Sequence, residues 1–243
     1  MKGERIMALL EMSNISKSFF GVKVLHEVQF KVEEGTVHAL LGENGAGKST
    51  LMNILTGVYT KDSGKVIFNG ETLEEITVKK SEAAGIAFVH QELNPFNELK
   101  VYENIFLGKE YLKPHSRHLD IKRMIKETQA LFDDLGVGID AKAEVSSLTT
   151  GEKQLLDIAR ALHQSAKLII LDEPTTALSN AEIDNLFRIV DGLRKEGKSF
   201  IFISHKMPEI FRLADDYTVF RNGHYISRGK ISGAASTAHS INI

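Results

Sequence analysis

Short apolar runs separated by turn formers dominate the first part of the chain. Ala8–Met12, Val24–Val32, Val37–Leu41 and Lys65–Phe68 read as strands, punctuated by Gly35, Gly64 and the Asn69-Gly70 pair, a strong turn signal. After Val37–Leu41 the period changes: a helix is predicted to open near Lys48, run through Leu51–Leu55 and stop at Gly57. Ile86–His90 is a further strand. Between Asn94 and Thr150 the spacing turns helical, at Val101–Leu107 and at Ile121–Leu135, where Leu131, Phe132 and Leu135 share a face. Beyond Gly151 the elements alternate: helix Glu152–His163, strand Leu168–Leu171, helix Ala181–Lys195, strand Phe200–Ile203 and helix Met207–Leu213.

Strands alternating with helices predict an α/β fold with a parallel-type sheet, and the strand-rich opening adds an antiparallel layer. The boundaries that follow are one domain over 1–243. Its core covers 8–93 and 156–230, an inserted helical subdomain covers about 94–155, and the small, polar tail 231–243 is expected to be disordered. Ile183, Leu186, Phe187, Val190 and Leu193 form one apolar stripe on their helix, which is core packing rather than chemistry.

Composition narrows the functional classes. Thirty basic residues against 32 acidic ones leave a net charge of −2, so there is no global attraction to nucleic acid. The absence of cysteine excludes a disulfide framework and any thiolate metal site, and fits a reducing compartment. The first residues are too short in apolar content, and too interrupted by charge, to read as a secretory signal. No apolar run is long enough to cross a bilayer, so any work at a membrane is expected to go through a partner.

The candidate chemistry begins at Gly42-Glu43-Asn44-Gly45-Ala46-Gly47-Lys48-Ser49-Thr50, which fits the phosphate-loop pattern G-x-x-x-x-G-K-[ST]. Successive backbone N–H groups can enclose a phosphate chain only where no Cβ intrudes, and Gly42, Gly45 and Gly47 provide that freedom ahead of a helix N-terminus. Lys48 is placed to reach the β- and γ-phosphates, Ser49 to ligate Mg²⁺ and Thr50 to meet the α-phosphate. The alternative is a glycine-rich turn, against which stand the apolar run before the loop and the helical pattern after it. Strand Leu168–Leu171 then delivers Asp172 and Glu173 to a sheet edge, where Asp172 could hold Mg²⁺ through water and Glu173 could orient and deprotonate the attacking water. An acidic pair after a strand is commonplace by itself; the phosphate loop gives it meaning.

With Leu148–Leu162 reading LTTGEKQLLDIARAL, the chain resembles the nucleotide-binding subunits of ABC transporters, whose signature is usually written LSGGQ. The resemblance covers Leu10–Gly229 and implies a P-loop NTPase cassette with a RecA-like core, an antiparallel β layer and an inserted α-helical subdomain. It also implies roles. Phe19 stacks on adenine and Val24 lines the base, with Phe20 competing for the stacking role and a core position open to either. Gln91 contacts Mg²⁺ and the catalytic water and reports to the membrane partner. His205 contacts the γ-phosphate. Thr149, Thr150, Gly151 and Glu152 close in trans over ATP held by a second cassette.

Two departures stand out. Thr149 and Thr150 replace the usual Ser and first Gly of the signature, and Thr176–Ser179 lacks the aspartate that usually ends the D-loop. Altered signatures of this kind resemble those of monosaccharide importers of the ribose and galactose type, as do Ile203–Phe211 and Asp215–Ile226. That group carries two cassettes in one polypeptide, so a fragment of a longer chain is an open reading. The resemblance implies an ATPase using ATP and Mg²⁺ at the cytoplasmic face of the membrane. Its partners would be a second cassette (fused or separate), transmembrane permease subunits and, indirectly, a sugar-binding protein. Rival readings are a soluble ABC ATPase of translation or DNA repair, a kinase or GTPase with a phosphate loop, and a regulatory nucleotide-binding module with weak turnover.

Overall fold

The computed structural model describes residues 8–90 and 95–231. In chain order the elements are β1 (Ala8–Phe19), β2 (Val22–Glu33), β3 (Val37–Leu41), α1 (Lys48–Leu55), β4 (Ser63–Phe68), β5 (Glu71–Thr72), α2 (Val78–Ala84), β6 (Ile86–Val89), α3 (Val101–Phe106) and α4 (Ile121–Leu135). They continue with α5 (Thr150–His163), β7 (Leu168–Asp172), α6 (Asn180–Lys195), β8 (Ser199–Ile203), α7 (Met207–Leu213), β9 (Asp216–Arg221) and β10 (His224–Lys230). The tail expected to be disordered lies, past Ile231, outside the described residues. No described helix is long and apolar enough to cross a membrane.

The chain divides into two compact units. The first takes the residues up to Phe88, then Ala166–Glu173, then those from Val190 on. It holds two sheets: a four-stranded sheet in the order β2-β1-β4-β5, and a six-stranded sheet in the order β10-β9-β3-β8-β7-β6. β1 pairs antiparallel with both β2 and β4, whereas β3, β7, β8 and β9 run parallel where they meet. Every residue of β3 and β8 is buried, which is why they read as continuous apolar runs rather than alternating ones. β1 mixes buried with half-buried positions instead, and its register shifts after Met12 and Ile15 let it run on through Ser13–Ser18, where Ile15 is buried among polar residues. One apolar cluster joins Met12, Phe30, Leu40, Leu51, Val66, Ile170, Ile201 and Phe220, drawn from both sheets and α1. The antiparallel pair β9 and β10 and the short α2 carry weak patterns and are additions to the sequence reading.

The second unit comprises Val89–Ser165 and Pro174–Ile189. It is larger than the stretch 94–155: it keeps all of α5 and takes in the first part of α6. The reason is local bonding. Arg188 donates to the carbonyls of Leu135 and Gly136 at the end of α4, and Glu182 lies against Gly151. Asp120 caps α4 by accepting from the Arg123 N–H, and Gly136 in left-handed conformation ends it. Met124, Thr128, Phe132 and Leu135 form the buried face of α4, while Leu131 is half-buried.

Candidate functional site

In the first unit, the loop after β3 runs from Gly42 to Gly47 and delivers α1 at Lys48. Gly42, Gly45 and Gly47 have φ of 148°, 83° and 98°, a region that costs any other residue strain. Their surroundings differ. A Cβ on Gly47 would come within 2.6 Å of Leu25 Cδ2, and one on Gly42 would strike the Phe220 carbonyl, whereas one on Gly45 meets nothing within 4 Å. Gly42 and Gly47 therefore seat the loop on the protein, and Gly45 is the glycine whose missing Cβ leaves the loop's open side clear. The β9–β10 turn holds the loop from behind: Gly223 N–H donates to the Ala46 carbonyl (3.1 Å), and Gly223 accepts from His26 N–H (2.8 Å).

Lys48 Nζ donates to the Gly42 and Glu43 carbonyls at 2.7 and 3.0 Å, folding over the loop it follows. Burial lowers its pKa, opposed by the carboxylates of Glu173 and Asp172, which places all three groups in one electrostatic neighbourhood. Asp172 closes β7 opposite Ile203 of β8. Glu173 N–H donates to the Ile203 carbonyl (2.9 Å), and with φ of 47° its side chain turns back to His205, whose Nδ1 lies 2.9 Å from Glu173 Oε1. Parallel strands thus bring Lys48, Asp172, Glu173 and His205 to one sheet edge, beyond the strand C-termini. Ser49 is exposed and Thr50 half-buried at the start of α1. The hydroxyl of Ser49 and the carboxylate of Asp172 are hard oxygen donors, the class Mg²⁺ takes.

Phe19 ends β1 with its ring edge-on to Tyr59 at 5.1 Å and Lys17 Nζ 5.2 Å from its centroid. Phe20 and Gly21 form the two-residue β1–β2 turn, both with positive φ, and Phe20 is fully exposed at its tip. Val24 is half-buried, its carbonyl 3.4 Å from where a Gly47 Cβ would stand. Gln91 lies outside the described residues.

In the second unit, Thr149 and Glu152 cap α5 reciprocally: Glu152 N–H donates to Thr149 Oγ1 (3.2 Å) and Thr149 N–H to Glu152 Oε2 (2.8 Å). Thr150 is exposed and Gly151 buried. Sequence reasoning passed over two features. One is the Asn222-Gly223 turn behind the phosphate loop, signalled by its dipeptide. The other is Glu182, signalled by the capping pattern Ser179-x-x-Glu182.

Comparison with known proteins bears on this arrangement. The model of the family described as ABC transporter matches residues 25–176. A ribose import ATP-binding protein of Shouchella clausii is 48% identical over 219 residues, covering 90% of this chain and 44% of that protein. A galactose/methyl galactoside import ATP-binding protein of Photobacterium profundum is 46% identical over 218 residues, covering 90% and 44%. The chain thus spans less than half the length of these relatives. Among solved structures, a nucleotide-free ATP-binding cassette from an ABC transporter superposes with a TM-score of 0.82 at 27% identity, covering 92% of each chain. A structure described as the ADP conformation of an ATP-binding cassette of an ABC transporter gives 0.82 at 28%, covering 92% of this chain and 91% of that one. The loop, the acidic strand end and the signature helix therefore have one common explanation: the chain belongs to the ABC transporter family and has the α/β fold of its ATP-binding cassettes.

Proposed function

We propose that this chain binds ATP in the loop Gly42–Thr50 and hydrolyses it to ADP and phosphate as the energy-coupling subunit of a monosaccharide importer. The observation that carries the reading is the convergence of Lys48, Asp172, Glu173 and His205 on one edge of the parallel strands. Lys48 exchanges its two carbonyl partners for phosphate oxygens. Glu173 takes the proton of the attacking water, and His205 holds that carboxylate and faces the γ-phosphate. Ser49, Asp172 and Gln91 would hold Mg²⁺, which supplies charge neutralisation on the phosphates. Phe19 and Val24 hold the base, and the site is completed in trans by Thr149, Thr150, Gly151 and Glu152 of a second cassette. Catalysis by positioning and charge needs no covalent intermediate.

The names of the relatives, ribose and galactose import proteins, support the sugar class, and the family supports transmembrane permease partners at the cytoplasmic face. The test is purification from detergent-solubilised membranes with ATP turnover measured in the recovered complex. A multi-spanning permease whose transport substrate stimulates phosphate release is the expected result. Recovery of ribosomes or DNA, with no permease, rejects the importer reading.

A further inference from the structure

The signature helix α5 is already engaged by an anion of this chain's own. Glu182 Oε2 accepts from Ser179 N–H (2.8 Å) and Ser179 Oγ (2.7 Å), and these bonds hold its carboxyl below the usual carboxylate range, with Gly151 and Thr149 nearby adding to the effect. The side chain lies flat on Gly151: a Cβ there would come within 2.7 Å of Glu182 Cδ and 2.9 Å of its Cγ. The missing Cβ of the signature glycine is thus filled by a carboxylate. A 14-residue helix attracts negative charge at its first N–H groups, and Glu182 supplies it.

A second observation marks the place as a ligand position. A pocket of about 200 Å³ is lined by Gly151, Glu152, Gln154, Leu178, Glu182 and Asn185, among others. Gln154 is 3% exposed, and its Nε2 has no hydrogen-bond partner among the described residues. This buried amide donor lies in the wall of the pocket, on the same helix as the Gly151 N–H, and is a group that acceptor oxygens would satisfy. With Glu182 in place, its carboxylate occupies the Gly151 side of the pocket and repels any other anion, while the Gln154 amide stays unpartnered among the described residues.

Resting on the shared-site reading above, we propose that Glu182 is a built-in competitor for the phosphate oxyanion of ATP at α5, and must leave before a second copy of the cassette closes. This accounts for the altered D-loop. The Ser179 hydroxyl donates to Glu182, whereas an aspartate there, the residue usual in the family, has no proton to give at neutral pH and would repel it.

The test uses the full chain carrying Glu173→Gln, to keep ATP uncleaved, with and without Glu182→Gln, and follows ATP-dependent dimerisation by sedimentation. In a parent that associates, loss of the Glu182 charge is expected to tighten the dimer by about tenfold, the scale of one charge-assisted bond at a helix end. Unchanged or weaker association overturns the proposal. Should Glu182→Gln fail to fold, Glu182→Ala, which removes the carboxylate altogether, is expected to give the same gain. A second readout is independent of the shared site: the backbone amide resonances of Gly151 and Glu152 in the monomer, titrated with inorganic phosphate against sodium chloride of equal ionic strength. Saturable shifts only in the Glu182→Gln chain support the proposal; the same response in both chains, or none in either, overturns it. If the parent never associates with ATP yet the phosphate titration separates the two chains, the shared ATP site falls and the Glu182 assignment stands.

Discussion

His205 Nδ1 lies 2.9 Å from Glu173 Oε1, and the two residues stand just past the ends of the neighbouring parallel strands β8 and β7. Glu173 is mostly buried and His205 largely exposed, with side-chain exposures of 15% and 70%. The imidazole therefore reaches in from the solvent side and fixes a carboxylate that the left-handed backbone at Glu173 has turned toward it. A base and the partner that orients it behave as a unit. Glu173→Gln is expected to keep ATP binding and lower hydrolysis by about a hundredfold or more, the worth of a positioned base. Adding His205→Ala should then cost little further, because effects within a unit are not additive. Phosphate release by the single and double variants is the measurement; near-normal turnover of Glu173→Gln rejects it as the base, and a multiplicative loss in the double variant rejects the unit.

Phe19 and Phe20 are adjacent, yet the β1–β2 turn separates their environments. Phe19 is half-buried, its ring steeply inclined to Tyr59, while Phe20 stands fully exposed at a turn tip. Phe19→Ala is expected to weaken ATP binding by about tenfold, the lower range of a base–aromatic stack, and to leave inorganic triphosphate binding unchanged. Phe20→Ala should alter neither. Calorimetry with both ligands decides between them, and a loss for triphosphate equal to that for ATP would move Phe19 from base contact to loop support.

These contrasts show where the sequence was legible. The phosphate loop could be read because all its chemistry is contiguous, and β3, β7 and β8 because complete burial writes continuous apolar runs. Helix positions were legible where periodicity was strong, as in α4 and α6. The buttress behind the loop was not: Gly42 meets Phe220 and Ala46 meets Gly223, residues far along the chain in the weakly patterned β9–β10 pair. Glu182 was equally silent, since a glutamate three residues after a serine announces only a cap. Its position against Gly151 follows from how α5 and the start of α6 pack within the second unit.

Gly45 and Gly47 separate binding from stability. Both have positive φ, so alanine strains either by about 1 kcal/mol. At Gly47 the new methyl also meets Leu25 Cδ2 at 2.6 Å in the core, whereas at Gly45, within the proposed phosphate loop, it meets no protein atom within 4 Å. Gly47→Ala is expected to lower the unfolding free energy by about 2–3 kcal/mol, as overpacking does. Gly45→Ala should cost only the backbone strain yet abolish most ATP affinity. Urea unfolding and calorimetry on both variants make the comparison; equal ATP affinity in Gly45→Ala and the parent would remove the loop from the binding site.

His38, fully buried in β3, gives the chain a pH-dependent stability unconnected with the ATP site. Its Nε2 shares a hydrogen bond with Thr218 Oγ1 (2.8 Å), Phe30 presents a ring edge to it, and Nδ1 has no hydrogen-bond partner among the described residues. Burial, aided by the charge of Arg228, lowers its pKa from 6.5 to about 3. Between those values the unfolded chain binds a proton that the folded chain refuses, so stability falls as pH drops from 6.5 and levels off below about 3. At pH of about 5 the expected loss from this one group is about 2 kcal/mol. His38→Gln, which cannot titrate, should flatten the curve by that amount between neutral pH and pH of about 5, whatever the substitution costs at neutrality. Urea midpoints measured across the range test it, and parallel curves for the two chains would show that His38 takes up its proton in the folded state as readily as in the unfolded one.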